Sequence, residues 1–499
     1  MVSRRDALKL SAAGLAATTL FTGCGAASEE LPKEPTQVPT PTEIPVAKGT
    51  PTGEKQIPDG ITSVNETGVV TAQANAARTG EMMGPGPSMD YPIIVRWKVE
   101  HFDNTRASPL VHNDKVILPI STDVVCFELE SGKEVWRFSA GENNGRDPVY
   151  TTPTLAEGVV YAGNNSNKIF AIDAETGEGI WQSNVGSAVH GSPTVVDGVV
   201  YSSTLRGGPD DSGRVIALNA ATGDEIWRFA LGESTHEPVA IHDDQVIAVC
   251  EDGIVYALDS LTGSENWRFQ TGGEIRSPAS IANNKVFVPS DDGNLYALAL
   301  ETGDEIWRFS TGDKIQATPA IMNGVAYFGS YDCNLYAVNA VDGREIWRSP
   351  WTTAFLSLYS AGVTEDVAYW STIAIDKYTG ETLYGEMWQH GETARPSTSA
   401  VYRDYLLAVM SNSLVCIGNL KPTQISQEAV LRGAPSPSGV SLGNLKVGDR
   451  VTSILLQEER NGQTWAQVVV SGDTGWIPLD AIDPSTLPPE GEIEYVYVP

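Results

Sequence analysis

The sequence predicts an all-β protein: an eight-bladed β-propeller closed by an N-terminal strand and followed by a small β-barrel. Three observations carry this. Turn glycines recur at Gly132, Gly177, Gly223, Gly263, Gly303, Gly343 and Gly380, with gaps of 45, 46, 40, 40, 40 and 37 residues. A period near forty built from short alternating runs is what one four-stranded blade per repeat produces. Tryptophans recur at one point of the repeat, at Trp136, Trp181, Trp227, Trp267, Trp307 and Trp347, where a large flat side chain fills the wedge between blades. Finally, the two ends complement each other. The last unit, Tyr405–Ile417, stops without a Trp strand, and Ile93–Val99, with Trp97, precedes the first unit as a strand with no unit of its own. Pairing the two leaves no unpaired strand at the seam.

Each unit follows the same order. Ser-Pro or Thr-Pro (Pro109, Pro153, Pro193, Pro278, Pro319) opens an apolar run, and an alternating strand such as Val159–Ala162 comes next. An Asp-Gly hairpin, as at Asp252-Gly253 and Asp292-Gly293, supplies the positive backbone angles of a two-residue turn. A Leu-Tyr-Ala-Leu strand, the Thr-Gly turn and a Glu-Ile-Trp-Arg-Phe strand complete the unit. Tyr384 takes the Trp position in the seventh.

The string Ala171-Ile-Asp-Ala-Glu-Thr-Gly-Glu-Gly-Ile-Trp181 and its copies resemble the tryptophan-docking motif of the PQQ-like β-propeller repeat family. The lead-in Ala74–Gly80 with Pro85 and Pro87 is similar to the opening of bacterial members. The resemblance covers roughly 72–420. It implies the propeller fold, with Trp97 and the six repeat tryptophans as docking residues. For activity it implies either pyrroloquinoline quinone (PQQ) and calcium chemistry, as in quinoprotein dehydrogenases, or no chemistry, as in BamB-type lipoproteins.

The ends are expected to place the chain outside the cytoplasm. Ser3–Lys9 with Arg4-Arg5 resembles a twin-arginine export signal, and Leu20–Cys24 resembles a lipobox. Residues 1–23 therefore read as a signal peptide and Cys24 as the lipidated residue. Residues 24–71, rich in Pro, Thr and Glu with no apolar period, read as a disordered tether. After the propeller (72–420) and a linker (421–427), residues 428–484 resemble a bacterial SH3-like domain. Trp465 and Trp476 are its candidate binding residues, with a spacer built on the same two tryptophans as the other reading. Residues 485–499 form an acidic, Pro-rich tail.

A net charge of −30 excludes nucleic acid and acidic lipid surfaces as partners, because both need a basic face. No apolar run approaches a membrane span. Of the five cysteines, Cys126 and Cys416 align with the small position held elsewhere by Ala171 and Ala257, and a disulfide between them is left open. In a propeller the loop entering each innermost strand rims the funnel. There stand Arg106, His190, His236, Arg276, Gln316 and Arg395, a set of donors suited to a small anion. The histidines have no metal-ligand spacing, so no metal site is expected from them. The adjacent cysteine pair usual in quinoprotein alcohol dehydrogenases is missing, and no calcium ligands or catalytic Asp map onto the chain. The expectation is thus a monomeric, lipid-anchored envelope binding or scaffold protein without a cofactor. Its propeller engages a protein or a small anionic ligand, and its SH3-like domain engages an envelope protein or cell-wall polymer. The alternatives are a PQQ- and calcium-dependent alcohol or sugar dehydrogenase and a non-catalytic sensor of an anionic ligand.

Overall fold

The computed structural model describes residue 87 and residues 93–497 apart from interruptions, the longest being 351–359, 385–399 and 483–494. Cys24, Arg106 and Arg395, with the expected signal segment and tether, lie outside the described residues. The architecture is all-β and propeller-like. Seven four-stranded antiparallel sheets follow one another along the chain, each made of consecutive strands, from Leu110–Ser139 to Gly362–Tyr384. One further sheet joins Ala400–Tyr402, Tyr405–Met410 and Ser413–Asn419 to the N-terminal strand Ile93–Glu100. Among the described residues the one helical element is the 3₁₀ turn Leu479–Ala481.

The expected pairing of the chain's two ends is present. Ile93–Glu100 runs antiparallel to Ser413–Asn419 and places Trp97 opposite Cys416. This is the same register that places Trp136 opposite Cys126, Trp181 opposite Ala171 and Trp267 opposite Ala257. A small residue must stand there, since the neighbouring strand carries the indole. A β-bulge follows directly in each case, as between Ala257 and Leu258, and it bends the outermost strand. Cys126 and Cys416 are both buried and form no disulfide with each other. Burial pushes the Cys126 thiol up to about 12 and that of Cys250 up to about 11.

Each tryptophan docks on the turn of the following sheet. Trp97 lies against Gly132, Trp136 against Gly177, Trp227 against Gly263, Trp267 against Gly303 and Trp347 against Gly380. The glycines have φ between 67° and 77°, and a Cβ on any of them would fall 2.6–2.9 Å from an indole carbon. Both conditions demand glycine. The indole Nε1 then donates to the carbonyl three residues before the glycine: Leu129 from Trp97, Ala174 from Trp136, Ser260 from Trp227 and Leu300 from Trp267. The turn itself is held by its Asp. In Asp173, Oδ1 accepts from the Glu175 and Thr176 amides and from the Thr176 hydroxyl.

The Ser-Pro and Thr-Pro sites link innermost strands. The Ser108 amide donates to Thr152 Oγ1, and the Thr152 amide donates to Ser192 Oγ, at 2.9 and 2.8 Å. Thr154 Oγ1 donates to the Pro193 carbonyl. Hydroxyls thus replace the ladder that separate sheets cannot share.

At the outside, Glu and Arg three apart pair on several of the outermost strands (Glu225–Arg228, Glu265–Arg268, Glu305–Arg308, Glu345–Arg348). Charges of this kind guard exposed edges against pairing with another chain. Between them, Val135, Ile180, Ile226, Ile306 and Ile346 are each about half exposed.

The C-terminal unit is a five-stranded sheet ordered Ser441–Leu445, Ala429–Arg432, Asp473–Pro478, Gln463–Val470 and Ser453–Arg460. Its core contains Leu431, Leu445, Val468, Ile477 and Ile482. Trp465 is 2% exposed, which places it in the interior and away from a binding surface; Trp476 is half-buried. One strand lies where the sequence suggests only a tail. Tyr495–Tyr497 pairs with Ile93–Ile94 as a fifth strand on the edge of the closing sheet.

Candidate functional site

Four of the six expected funnel residues are described, and the structure brings them together with partners from the hairpins between the second and third strands. His190 precedes the innermost strand Thr194–Val196, His236 precedes Ala240–His242, Arg276 precedes Ser280–Ala282, and Gln316 precedes Ala320–Met322. Neighbouring innermost strands lie side by side, so their entry loops converge on one mouth.

The two histidines meet. His190 Nδ1 lies 3.0 Å from His236 Nδ1, with the rings edge to face at 4.9 Å. His190 Nε2 is 3.1 Å from Asn165 Oδ1, and the Tyr150 ring flanks it at 5.1 Å. His236 Nε2 faces a carboxylate oxygen of Glu251 at 3.6 Å.

The other half of the mouth is a charge network. Arg276 pairs with Glu274 through Nη2 and Nε, and its Nε lies 3.5 Å from Asp291. Hydrogen bonding to Glu274 raises the Arg276 pKa further, so its charge is permanent. Asp291 also accepts from Lys314 Nζ at 3.2 Å and from Gln316 Nε2 at 2.7 Å. Its side chain is only 8% exposed, and the cations cover it. Of the donors expected to be open to an anion, Arg276 and Gln316 are thus engaged by carboxylates of the same chain.

Asn165, Glu251 and Asp291 are partners that sequence reasoning missed. Asp291 and Asp292 look alike in sequence as turn residues, yet they divide. Asp292 serves its own turn and the loop that follows the preceding sheet, accepting from the Asn294 amide at 2.9 Å, the Gly272 amide at 2.9 Å and the Tyr296 hydroxyl. Asp291 points to the mouth. Burial opposes ionisation of Asp292, but the hydrogen bonds from Tyr296, Asn294 and Gly272 outweigh it and hold its pKa below the usual value. A carboxylate depressed in this way contributes stability that is complete above its unfolded pKa of about 4 and is lost as pH falls through the lower folded value. The advantage of wild type over Asp292→Asn in urea midpoint, present near pH ~6, should therefore shrink as pH drops below about 3. A constant gap would show that the charge is not what the turn uses.

Among the described residues no group of three or more His, Cys, Asp and Glu side chains is disposed to hold a metal ion. No helix among them is long and apolar enough to cross a membrane.

A quinohemoprotein alcohol dehydrogenase from Comamonas testosteroni superposes with a TM-score of 0.58 at 14% identity, covering 70% of this chain and 80% of that one. A europium-containing methanol dehydrogenase also superposes at 0.58, with 12% identity over 71% of this chain and 99% of the other. At such identities the likeness is one of fold. Among curated sequences, quinohemoprotein alcohol dehydrogenase ADH IIB of Pseudomonas putida is 30% identical over 113 residues, 20% of this chain. The chain spans 16% of that relative's length. The family described as outer membrane protein assembly factor BamB matches over residues 121–210, 207–303 and 273–476. Since these segments together cover more than half of the sequence, the chain belongs to that family.

Proposed function

We propose that the chain is an exported envelope protein, lipid-anchored through Cys24, that binds partners without transforming them. In this reading residues 72–420 form an eight-bladed ring closed by Ile93–Glu100. Residues 428–484 form an SH3-like barrel directed at an envelope protein or cell-wall polymer, through Trp476 rather than Trp465. The observation that carries the non-catalytic part is the state of Arg276, which two carboxylates of its own chain already hold. A quinone bearing three carboxylates would have to displace Glu274 and Asp291, so the described residues of the mouth do not fit PQQ. The same displacement weighs against the small anionic ligand, which leaves a protein partner. Exposed outer strands, five of which carry a half-exposed β-branched side chain, suit an extended segment added to a sheet edge.

A second reading, the PQQ- and calcium-dependent alcohol or sugar dehydrogenase, rests on the quinohemoprotein relative from Pseudomonas putida. The relatives favour it more than they favour the scaffold reading. One titration separates the two. The full chain is mixed with PQQ and calcium, and tryptophan quenching and dye-linked oxidation of alcohols and sugars are followed. No saturable quenching at tens of micromolar is the expected result. Saturable binding with turnover would replace the binding reading with the enzyme. The partner itself is sought with a photo-crosslinking residue at position 226, where a protein adduct in intact cells is expected.

A further inference from the structure

We propose that the outer edge of the closing strand Ile93–Glu100 is a strand-acceptor site for an extended segment of another protein, and that the chain's own C-terminal strand competes for it. This rests on the reading that the chain binds a protein partner by strand addition, and it names the edge. The closing sheet differs from the others in having a fifth strand. Tyr495–Tyr497 runs antiparallel to the closing strand on its outer side, with Ile93 opposite Tyr497 and Ile94 opposite Tyr495. Among the described residues, none of the seven sheets made of consecutive strands continues past its fourth.

The sequence of the closing strand accounts for the choice of edge. Six of the other outermost strands run for 6 residues, and this one runs for 8. On five of those six, a Glu two residues before the docking tryptophan pairs with the Arg one residue after it, as in Glu134–Arg137 and Glu265–Arg268. Charge placed on an edge in this way resists pairing with another chain. At the corresponding positions the closing strand has Val95 and Lys98, so the carboxylate half of the pair is missing. Lys98 turns instead to Glu100 at 3.3 Å, farther along the strand. Ile93, Ile94 and Val95 are thereby left as a β-branched run at one end of the edge, a composition that favours strand pairing.

The chain's own tail defines the chemistry of the ligand. Residues 492–499 read Glu-Ile-Glu-Tyr-Val-Tyr-Val-Pro, aromatic and β-branched residues in alternation with carboxylates before them. The register sets Tyr opposite Ile twice, and an aromatic facing a β-branched residue is a favourable cross-strand combination. Residues 485–499 hold Glu490, Glu492 and Glu494 and no Lys or Arg, whereas the acceptor strand holds Arg96 and Lys98. The partner is therefore an extended segment of alternating aromatic and β-branched residues flanked by acidic ones. Among the described residues the tail pairs with Ile93 and Ile94 alone. A contact of that length depends on tethering, which supplies an effective concentration on the order of millimolar for a short linker. A partner segment that pairs farther along the strand makes more ladder bonds and displaces the tail.

The test uses the full chain and a full-length variant carrying Val496→Pro and Tyr497→Pro. Consecutive prolines remove whichever tail amide faces the ladder. The probe is a fluorescent synthetic peptide with the sequence of residues 492–499, followed by anisotropy. One peptide per chain is expected to bind saturably, roughly tenfold or more tighter to the variant than to the unaltered chain, whose tail competes. A photo-crosslinking group on the peptide should mark residues 93–100. The same peptide N-methylated at the amides of residues 494–497 keeps its side chains, loses its ladder donors and should bind roughly tenfold or more weakly. Lack of binding by the variant, equal binding by both chains, adducts elsewhere, or undiminished binding of the methylated peptide would overturn the site. So would a full chain that sediments as a dimer beside a monomeric variant, since the occupant would then be a second copy. The adduct sought at position 226 lies on another sheet and tests the general reading separately.

Discussion

Replacing Trp267 by alanine should lower stability by about 3–5 kcal/mol, the range for truncating a large buried aromatic. The side chain is 8% exposed and packs in a core cluster with Ile247, Val255, Val286 and Tyr296 from two sheets. Its loss leaves a cavity between them, and the Leu300 carbonyl loses its donor. Thermal denaturation of the full chain checks this. A midpoint equal to that of wild type would mean that indole docking does not hold adjacent sheets together. Trp267→Phe separates packing from hydrogen bonding, since it keeps most of the volume and loses only the Nε1 bond.

The partner of that indole gives the second large effect. Gly303→Val should destabilise by about 3–5 kcal/mol, because two penalties coincide. The position has φ +75°, a conformation that β-branched residues resist, and the new Cβ would fall 2.6 Å from Trp267 Cε3. Gly324 provides the control. It has φ +77° with nothing within 4 Å, so Gly324→Ala pays for the backbone alone, about 1 kcal/mol. The pair Gly303→Ala and Trp267→Ala should be non-additive, since removing the indole removes what the Cβ strikes. Strict additivity would show that the two residues do not act through each other.

Much of the fold was legible because a repeat states its rules many times. Period, hairpin residues and turn glycines are local, and each copy confirms the others. Even Cys126 and Cys416 were readable as occupants of the small position, which the structure places opposite Trp136 and Trp97. The N-terminal strand was found by counting what the last unit lacks. The mouth was only half legible. Alignment of repeats put His190 and His236 at matching positions in adjacent units, but not within 3.0 Å of each other. Nor did it reveal that Arg276 is neutralised, because Asp291 sits in a turn that ordinary hairpin chemistry already explains. Side-chain direction separates Asp291 from Asp292, and composition carries none of it. Tyr495–Tyr497 escaped for another reason, as three residues beyond a Pro-rich acidic stretch show no period.

The pairing of Ile93–Glu100 with Ser413–Asn419 has a consequence for how the molecule is made. The ribosome delivers the first of these strands roughly 300 residues ahead of the second, and at about 5–20 residues per second that is a delay of tens of seconds. Throughout it, Trp97 has no cysteine to face, and an apolar strand waits with its edge uncovered. A nascent chain in this state is a substrate for holding factors and a hazard for its neighbours. Completion of the last strand covers that edge and gives Trp97 its partner.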